Sequence, residues 1–263
     1  MNNLAYEGYY FIFDGISSKI YGLRLCAFES GDYRYPGGSS MSFETDKAPR
    51  SLKTKILGAF PSDVLSFDIE MFFEDDKNPT TLFQEHMIKS WLFGQLGYKR
   101  LCILNDELSD VYFNCVLNDP EDIKINGNNG FKCTVVCDAG GAWEFPRTKR
   151  YSPISGSTII INNISGNNDY MYPTISFSSK GGSFSITNNT DNNRVFEFTN
   201  LVSDEVITVN GDTKAITSSQ GISRIKNFNK NYFRLLRGAN SIEFAGDINW
   251  IDITTQNFRR LGG

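Results

Sequence analysis

The chain has 263 residues, 40% of them hydrophobic, with 21 Phe and 12 Tyr, enough apolar surface for one large core or two smaller ones. Charged residues at 21% and a net charge of −4 exclude a disordered polar chain and a dedicated nucleic-acid binder, which needs excess Lys and Arg to displace counterions. Residues 1–148 carry 21 acidic and 14 basic side chains (−7) and residues 149–263 carry 9 and 12 (+3), so two units with different surfaces are predicted.

The first element is a hairpin. Phe11-Ile12-Phe13 leads into Asp14-Gly15, a pair suited to the positive φ angles of a tight turn, and Tyr21-Gly22-Leu23-Arg24-Leu25 reads as the returning strand. Residues 30–47, rich in Gly, Ser and Tyr, are too polar for a core and read as a projecting loop or arm. Leu65, Phe67, Ile69 and Met71 then alternate with Ser66, Asp68 and Glu70, the period of a half-buried strand.

One helix is predicted over about 80–96, capped by Thr80 or Thr81, with Gln84 and Glu85 in its first turn and Gly94 and Gly97 at its exit. Leu82, Phe83, Met87, Trp91, Leu92 and Leu96 form its apolar stripe, and Glu74-Asp75-Asp76 would favour the positive end of its dipole. Strands follow at 99–104, 111–117 and 131–137, with turns at Asp119-Pro120-Glu121-Asp122 and over 126–130. A break through Asp138-Ala139-Gly140-Gly141-Ala142-Trp143 marks a boundary between domains 1–146 and 147–263. Beyond it lie eight short β segments, at 157–161, 174–178, 182–187, 195–199, 205–209, 233–236, 241–245 and 250–254. They are divided by Asn, Gly and Ser clusters, and no helix is signalled among them. That spacing reads as a β-sandwich.

Chemistry is sparse. His86 is the only histidine, so no His-based metal cluster can form, and its place on the helix reads as surface. The nucleophile-elbow, phosphate-loop, zincin, C-x-x-C and dinucleotide-glycine motifs are absent. Asp68 and Glu70 share one strand face as ordinary alternation, with Asp204 loosely similar, and Glu74-Asp75-Asp76 and Asp119-x-Glu121-Asp122 lack a full calcium-loop series. The five cysteines, Cys26, Cys102, Cys115, Cys133 and Cys137, are odd in number and read as buried reduced thiols. No signal peptide and no run near the length of a membrane span is visible. No catalytic, metal or cofactor residue is assigned, and no ligand-binding set is defined. Tyr170, Tyr172, Tyr232, Phe233 and Trp250 remain candidates for a sugar platform.

Three ordered segments resemble the distal tail (Dit) family of long-tailed bacteriophages: Phe13-Asp14-Gly15-Ile16-Ser17-Ser18 with Tyr21-Gly22-Leu23-Arg24-Leu25, residues 82–108 with the strand that follows, and the closing Leu235-Leu236-Arg237-Gly238-Ala239-Asn240-Ser241-Ile242-Glu243-Phe244-Ala245-Gly246. The Cys137-Asp138-Ala139-Gly140-Gly141-Ala142-Trp143 break also resembles that family's domain junction. The resemblance implies a mainly β, non-enzymatic hub protein of the virion tail tip, made in the host cytoplasm. Its N-terminal β-sandwich, with one helix and an extended arm, would build a homohexameric ring. Its C-terminal galectin-like sandwich would face outward. Implied partners are the tail tube protein, the tail-associated lysin or tail-fibre hub protein, and receptor-binding proteins. DNA would pass through the channel without specific binding, and neither a membrane nor a cofactor is implied. The alternative is a carbohydrate-binding adhesin contacting the host surface.

Overall fold

The computed structural model describes residues 9–26, 41–49, 52–61, 64–74, 81–106, 108–125, 128–167 and 169–260. The chain forms two compact units, Met1–Trp143 with Arg259–Gly263, and Glu144–Phe258. Both are mainly β, as expected.

In chain order the first unit contains β1 (Phe11–Phe13), β2 (Ile16–Ser17), β3 (Leu23–Cys26), β4 (Met41–Asp46), β5 (Lys55–Pro61), β6 (Ser66–Phe73), α1 (Leu82–Phe93), β7 (Lys99–Ile103), β8 (Val111–Ile125), β9 (Asn128–Cys137) and β10 (Ala142–Glu144). The main sheet runs β2-β1-β7-β8-β9-β6-β3. Reciprocal backbone bonds between Tyr9, just before β1, and Leu25 of β3 link the two sides of that order, so the sheet folds over on itself. Phe11, Phe13, Leu23, Met71, Leu101, Phe113, Cys115 and Val135 fill the space inside it.

The opening turn forms as read: Asp14 (φ 50°) and Gly15 (φ 78°) both take positive φ, and Phe13 faces Ile16. The returning strand differs. β2 stops after two residues because the Ser17 hydroxyl accepts the Lys19 N–H and caps a 3-10 turn over Ser18–Tyr21. Buried Ser18 accepts the Phe11 N–H and holds that turn against β1. The residues read as one strand therefore belong to β3, which pairs with β6.

The arm expected over 30–47 falls partly outside the described residues. Its described end is β4, which together with β5 forms a two-stranded sheet separate from the main one. The helix is shorter than predicted. Thr81 is its cap, accepting the Gln84 N–H, and the Gly94 N–H bonds the Ser90 carbonyl at its end. Its buried face is Ile88, Trp91 and Leu92, while Leu82, Phe83, Met87 and Leu96 are exposed. Asp119 to Asp122 makes no turn: Asp119 takes φ 49° at a register shift and β8 continues to Ile125, paired with Asn128 of β9.

The second unit contains β11 (Arg147–Tyr151), β12 (Thr158–Asn163), β13 (Thr174–Asn188), β14 (Arg194–Val209), β15 (Ile216–Ser218), β16 (Gly238–Ala245) and β17 (Ile248–Thr255), and β18 (Phe258–Arg259) follows. The segments 174–178 and 182–187 are one long strand, as are 195–199 and 205–209, bent where Gly181, Gly182, Asn200 and Asp204 take positive φ. The bend is sharp. Seven residues of extended strand span about 23 Å, yet the rings of Phe177 and Phe184 are 4.7 Å apart. The first half of β13 runs between β17 and the end of β14, and its second half between β16 and the start of β14. Two layers result, β11-β17-β13-β14-β15 and β12-β16-β13-β14, enclosing Phe177, Phe184, Ile186, Phe196, Phe198 and Phe244.

Residues 233–236 are not a strand and contribute only a bridge from Leu235 to Met171. β11 was not anticipated, and the only helical turn among the described residues of this unit is the 3-10 segment Ile225–Asn227. The Gly-x-Asn segment before β16 has a structural reason. Buried Asn240 donates to the carbonyls of Leu236 and Gly238 and accepts the N–H of Leu236 and the amide of Asn188, so one side chain holds the loop. Gly246 follows β16 at φ 93°, where a Cβ would stand 2.2 Å from the Ser183 carbonyl oxygen.

Candidate functional site

Among the described residues no group of three or more His, Cys, Asp or Glu could hold a metal. His86 is exposed on α1. Asp68 accepts a hydrogen bond from Thr134 at 2.7 Å across the β6–β9 ladder. Asp204 accepts one from Asn249, and Asp122 pairs with Lys89 at 2.8 Å, as does Glu85 at 2.7 Å. Glu74 accepts from Tyr10 at 2.6 Å and from Arg24 at 2.7 Å, and the bond to Glu74 raises the Tyr10 phenol above its ordinary value. Glu74 thus ties β3 to the start of β1, and Asp75 and Asp76 lie outside the described residues.

Cys115, Cys133 and Cys137 are buried free thiols, with Cys115 opposite Cys137 on neighbouring strands. Burial pushes Cys133 and Cys137 up to about 12, and Cys115 higher still. Thiols held protonated in this way are inert as nucleophiles near neutral pH. Cys102 is half-buried, and the Cys26 side chain lies outside the described residues.

The aromatic candidates separate into three environments. Phe233 is core. Trp250 lies on β17 under Arg150, whose guanidinium stands 4.3 Å from its ring and grips Asp252 with two hydrogen bonds. Those bonds hold the Asp252 carboxyl below its ordinary range. Tyr170, Tyr172 and Tyr232 do come together, around cations. Lys214 Nζ stands 3.1 Å from the Tyr172 ring centroid and 5.4 Å from that of Tyr232, and Arg234 lies 3.7 Å from Tyr170 while bonded to Asp191. Burial lowers the Lys214 ammonium below the usual lysine value, and Asp212 opposes that shift. One face of each ring is therefore taken by the protein's own charge.

The first unit exposes apolar surface on its helix and on its separate hairpin. Leu82 is 77% exposed and Phe83 73%, in the first turn of α1, and Met87 continues the same side one turn on. On the separate hairpin, Phe43, Ile56 (64%) and Leu57 are exposed. Near α1, a cleft of about 270 Å³ is lined by Phe73, Glu85, Asp122, Lys124 and Phe131. Large apolar side chains that face water in groups mark protein contacts. Helical spacing in the sequence marks Leu82, Phe83 and Met87 as an apolar stripe without saying what the stripe meets, and it carries no signal for Phe43, Ile56 and Leu57.

Residues 6–139 match the family described as phage tail protein N-terminal domain, and residues 142–255 match the phage tail C-terminal domain. The chain belongs to this phage tail protein family. No curated protein matches it. Among solved structures this phage tail protein is similar to the Dit (gp 19.1) protein of SPP1, whose crystal structure is described as a paradigm of the hub adsorption apparatus in phages infecting Gram-positive bacteria. The TM-score is 0.70 at 9% identity, over 94% of this chain and 98% of that one. At that identity the fold is what the two share. The distal-tail resemblance read from the opening hairpin, the helix and the closing Gly-x-Asn segment is thus met in family and in fold.

Proposed function

We propose that this phage tail protein is a hub of the tail tip, six copies of which form a ring between the tail tube and the tip components. The observation that carries the reading is the apolar surface of the first unit, Leu82, Phe83 and Met87 on α1 with Phe43, Ile56 and Leu57 on the separate hairpin. A ring needs two different faces on each subunit, one offered to each neighbour. The helix and the hairpin are two such faces on separate elements. The second unit, read as a galectin-like sandwich, would face outward and hold adhesion components. The tail-associated lysin or tail-fibre hub protein would dock below the ring.

The −7 balance of residues 1–148 suits a channel lining that repels passing DNA, and a basic lining would contradict it. The reading needs no enzymatic step and no cofactor. The adhesin alternative finds less support, because Lys214, Arg234 and Arg150 cover ring faces that a sugar would stack on. Mass photometry with negative-stain imaging of the purified chain tests the proposal: a uniform six-fold ring is expected, and a monomer at every concentration would overturn it.

A further inference from the structure

The layers of the second unit have four strand edges, and three are protected in familiar ways. β11 carries Arg147, Lys149 and Arg150, charges that discourage pairing. β15 is three residues long. The start of β14 is covered by residues 228–229: Phe228 bridges Phe198, the Asn229 N–H bonds the Glu197 carbonyl, and the Asn229 side chain bonds Val195.

The fourth edge is β12, Thr158-Ile159-Ile160-Ile161-Asn162-Asn163. It has no charge, no proline, no glycine and no bulge in its ladder with β16. Its other side pairs with nothing among the described residues. The register shows what that side presents. The Ser157 carbonyl accepts the Phe244 N–H, so Ser157 and each second residue after it bond towards β16. Thr158, Ile160 and Asn162 therefore direct their N–H and C=O groups outward. Their side chains are exposed too, Ile160 by 59%, and Ile154 and Ile164 extend the apolar character on either side.

We infer that β12 is a pairing edge for a second copy of this chain, joined antiparallel about a two-fold axis through Ile160. The edge is complementary to itself. With Ile160 opposite Ile160 of the second copy, Thr158 falls opposite Asn162 and Asn162 opposite Thr158. All the outward-facing residues then match in hydrogen-bonded pairs, giving about six backbone hydrogen bonds. The side-chain pairs are one aliphatic contact flanked by two between hydroxyl and amide, with no like charges opposed. A charged or irregular edge would fail this register test. The contact is isologous, so it closes at two and propagates no further. It is a different contact from the ring faces on the first unit, and it does not depend on them.

Sedimentation velocity of the full chain tests it, comparing wild type with Ile160→Lys and Ile160→Val. Wild type and Ile160→Val should associate in even numbers, and Ile160→Lys should halve the particle mass, whether from twelve copies to six or from two to one. Thr158→Lys, a second exposed position, should halve it as well. Equal masses for wild type and both lysine variants would overturn the pairing. So would an Ile160 amide that exchanges freely with solvent at every protein concentration. Absence of six-fold particles alongside a halved mass would count against the ring and leave the β12 contact standing.

Discussion

Trp91 donates its indole N–H to the carbonyl of Phe13 at 3.0 Å, fastening helix α1 to the residue just before the Asp14-Gly15 turn. The same indole stacks on Phe11 at 5.9 Å and meets Tyr21 at 5.2 Å. The opening hairpin, the 3-10 turn and the helix therefore share one anchor. Trp91→Phe should cost about 1–2 kcal/mol, because a buried carbonyl loses its donor, and Trp91→Ala about 3–5 kcal/mol. Denaturant unfolding measures both. A loss below about 1 kcal/mol for the alanine variant would show that the helix is held elsewhere.

Glu205 is fully buried in the second unit and is gripped by Arg224 at 2.6 and 2.8 Å, by the Ser218 hydroxyl and by the Val202 N–H. Arg224 also donates to the Asn200 carbonyl at 2.9 Å, so the pair pins the bend of β14 to the loop before the Ile225–Asn227 turn. Removing one charge strands the other: Glu205→Ala should destabilise by about 3–5 kcal/mol. Replacing both, as Glu205→Leu with Arg224→Met, should recover most of that loss. Thermal unfolding of the two variants gives the comparison, and equal losses would show that packing, not the uncompensated charge, sets the cost.

The same carboxylate sets a pH dependence. Burial pushes its pKa up, but the bonds from Arg224, Ser218 and Val202 outweigh burial and lower it overall. A lowered value means the ionised form is bound more tightly in the fold. Its contribution is complete above the ordinary glutamate value of about 4.3 and is lost as pH falls through the lowered one. Melting of wild type and Glu205→Gln should differ widely at pH 7 and converge towards pH 3. A constant difference across that range would remove Glu205 from the acid transition.

Much of the fold is legible in the sequence, because alternation in β6 and the Asp14-Gly15 pair are local signals. The bends in β13 and β14 are not: Gly181-Gly182 and Asn200 look like turns between strands, and only the ladder shows the strands continuing. β11 hides because edge protection fills it with Arg147, Lys149 and Arg150, the composition of a linker. The apolar stripe of the helix is legible too, but periodicity reports apolar spacing and cannot say whether the apolar face meets its own sheet or another chain. Glu205 and Arg224 escape notice altogether, for no motif links residues 19 apart across a bend.

Thiol reactivity follows from burial. Native-state alkylation at pH 8 with peptide mapping should leave Cys115, Cys133 and Cys137 unmodified, while denaturant exposes all three. With values near 12 for Cys133 and Cys137, only about one thiol in ten thousand is ionised at that pH. Rapid labelling of Cys133 in the folded chain would show that β9 opens far more readily than its buried ladder implies.

Assembly and folding should separate at the first unit's surface. Phe83→Asp on α1 and Ile56→Asp on β5 alter side chains that are mostly exposed, so each should change unfolding stability by no more than about 0.5 kcal/mol. Each should nevertheless abolish ring particles, because a charge in a desolvated contact has no partner there. Trp91→Ala makes the opposite control: it weakens the fold while leaving the exposed face chemically intact. Particle counting for the three variants decides the matter. If rings persist with Phe83→Asp and with Ile56→Asp, the subunits meet through other surfaces, and the apolar face of α1 serves a different partner.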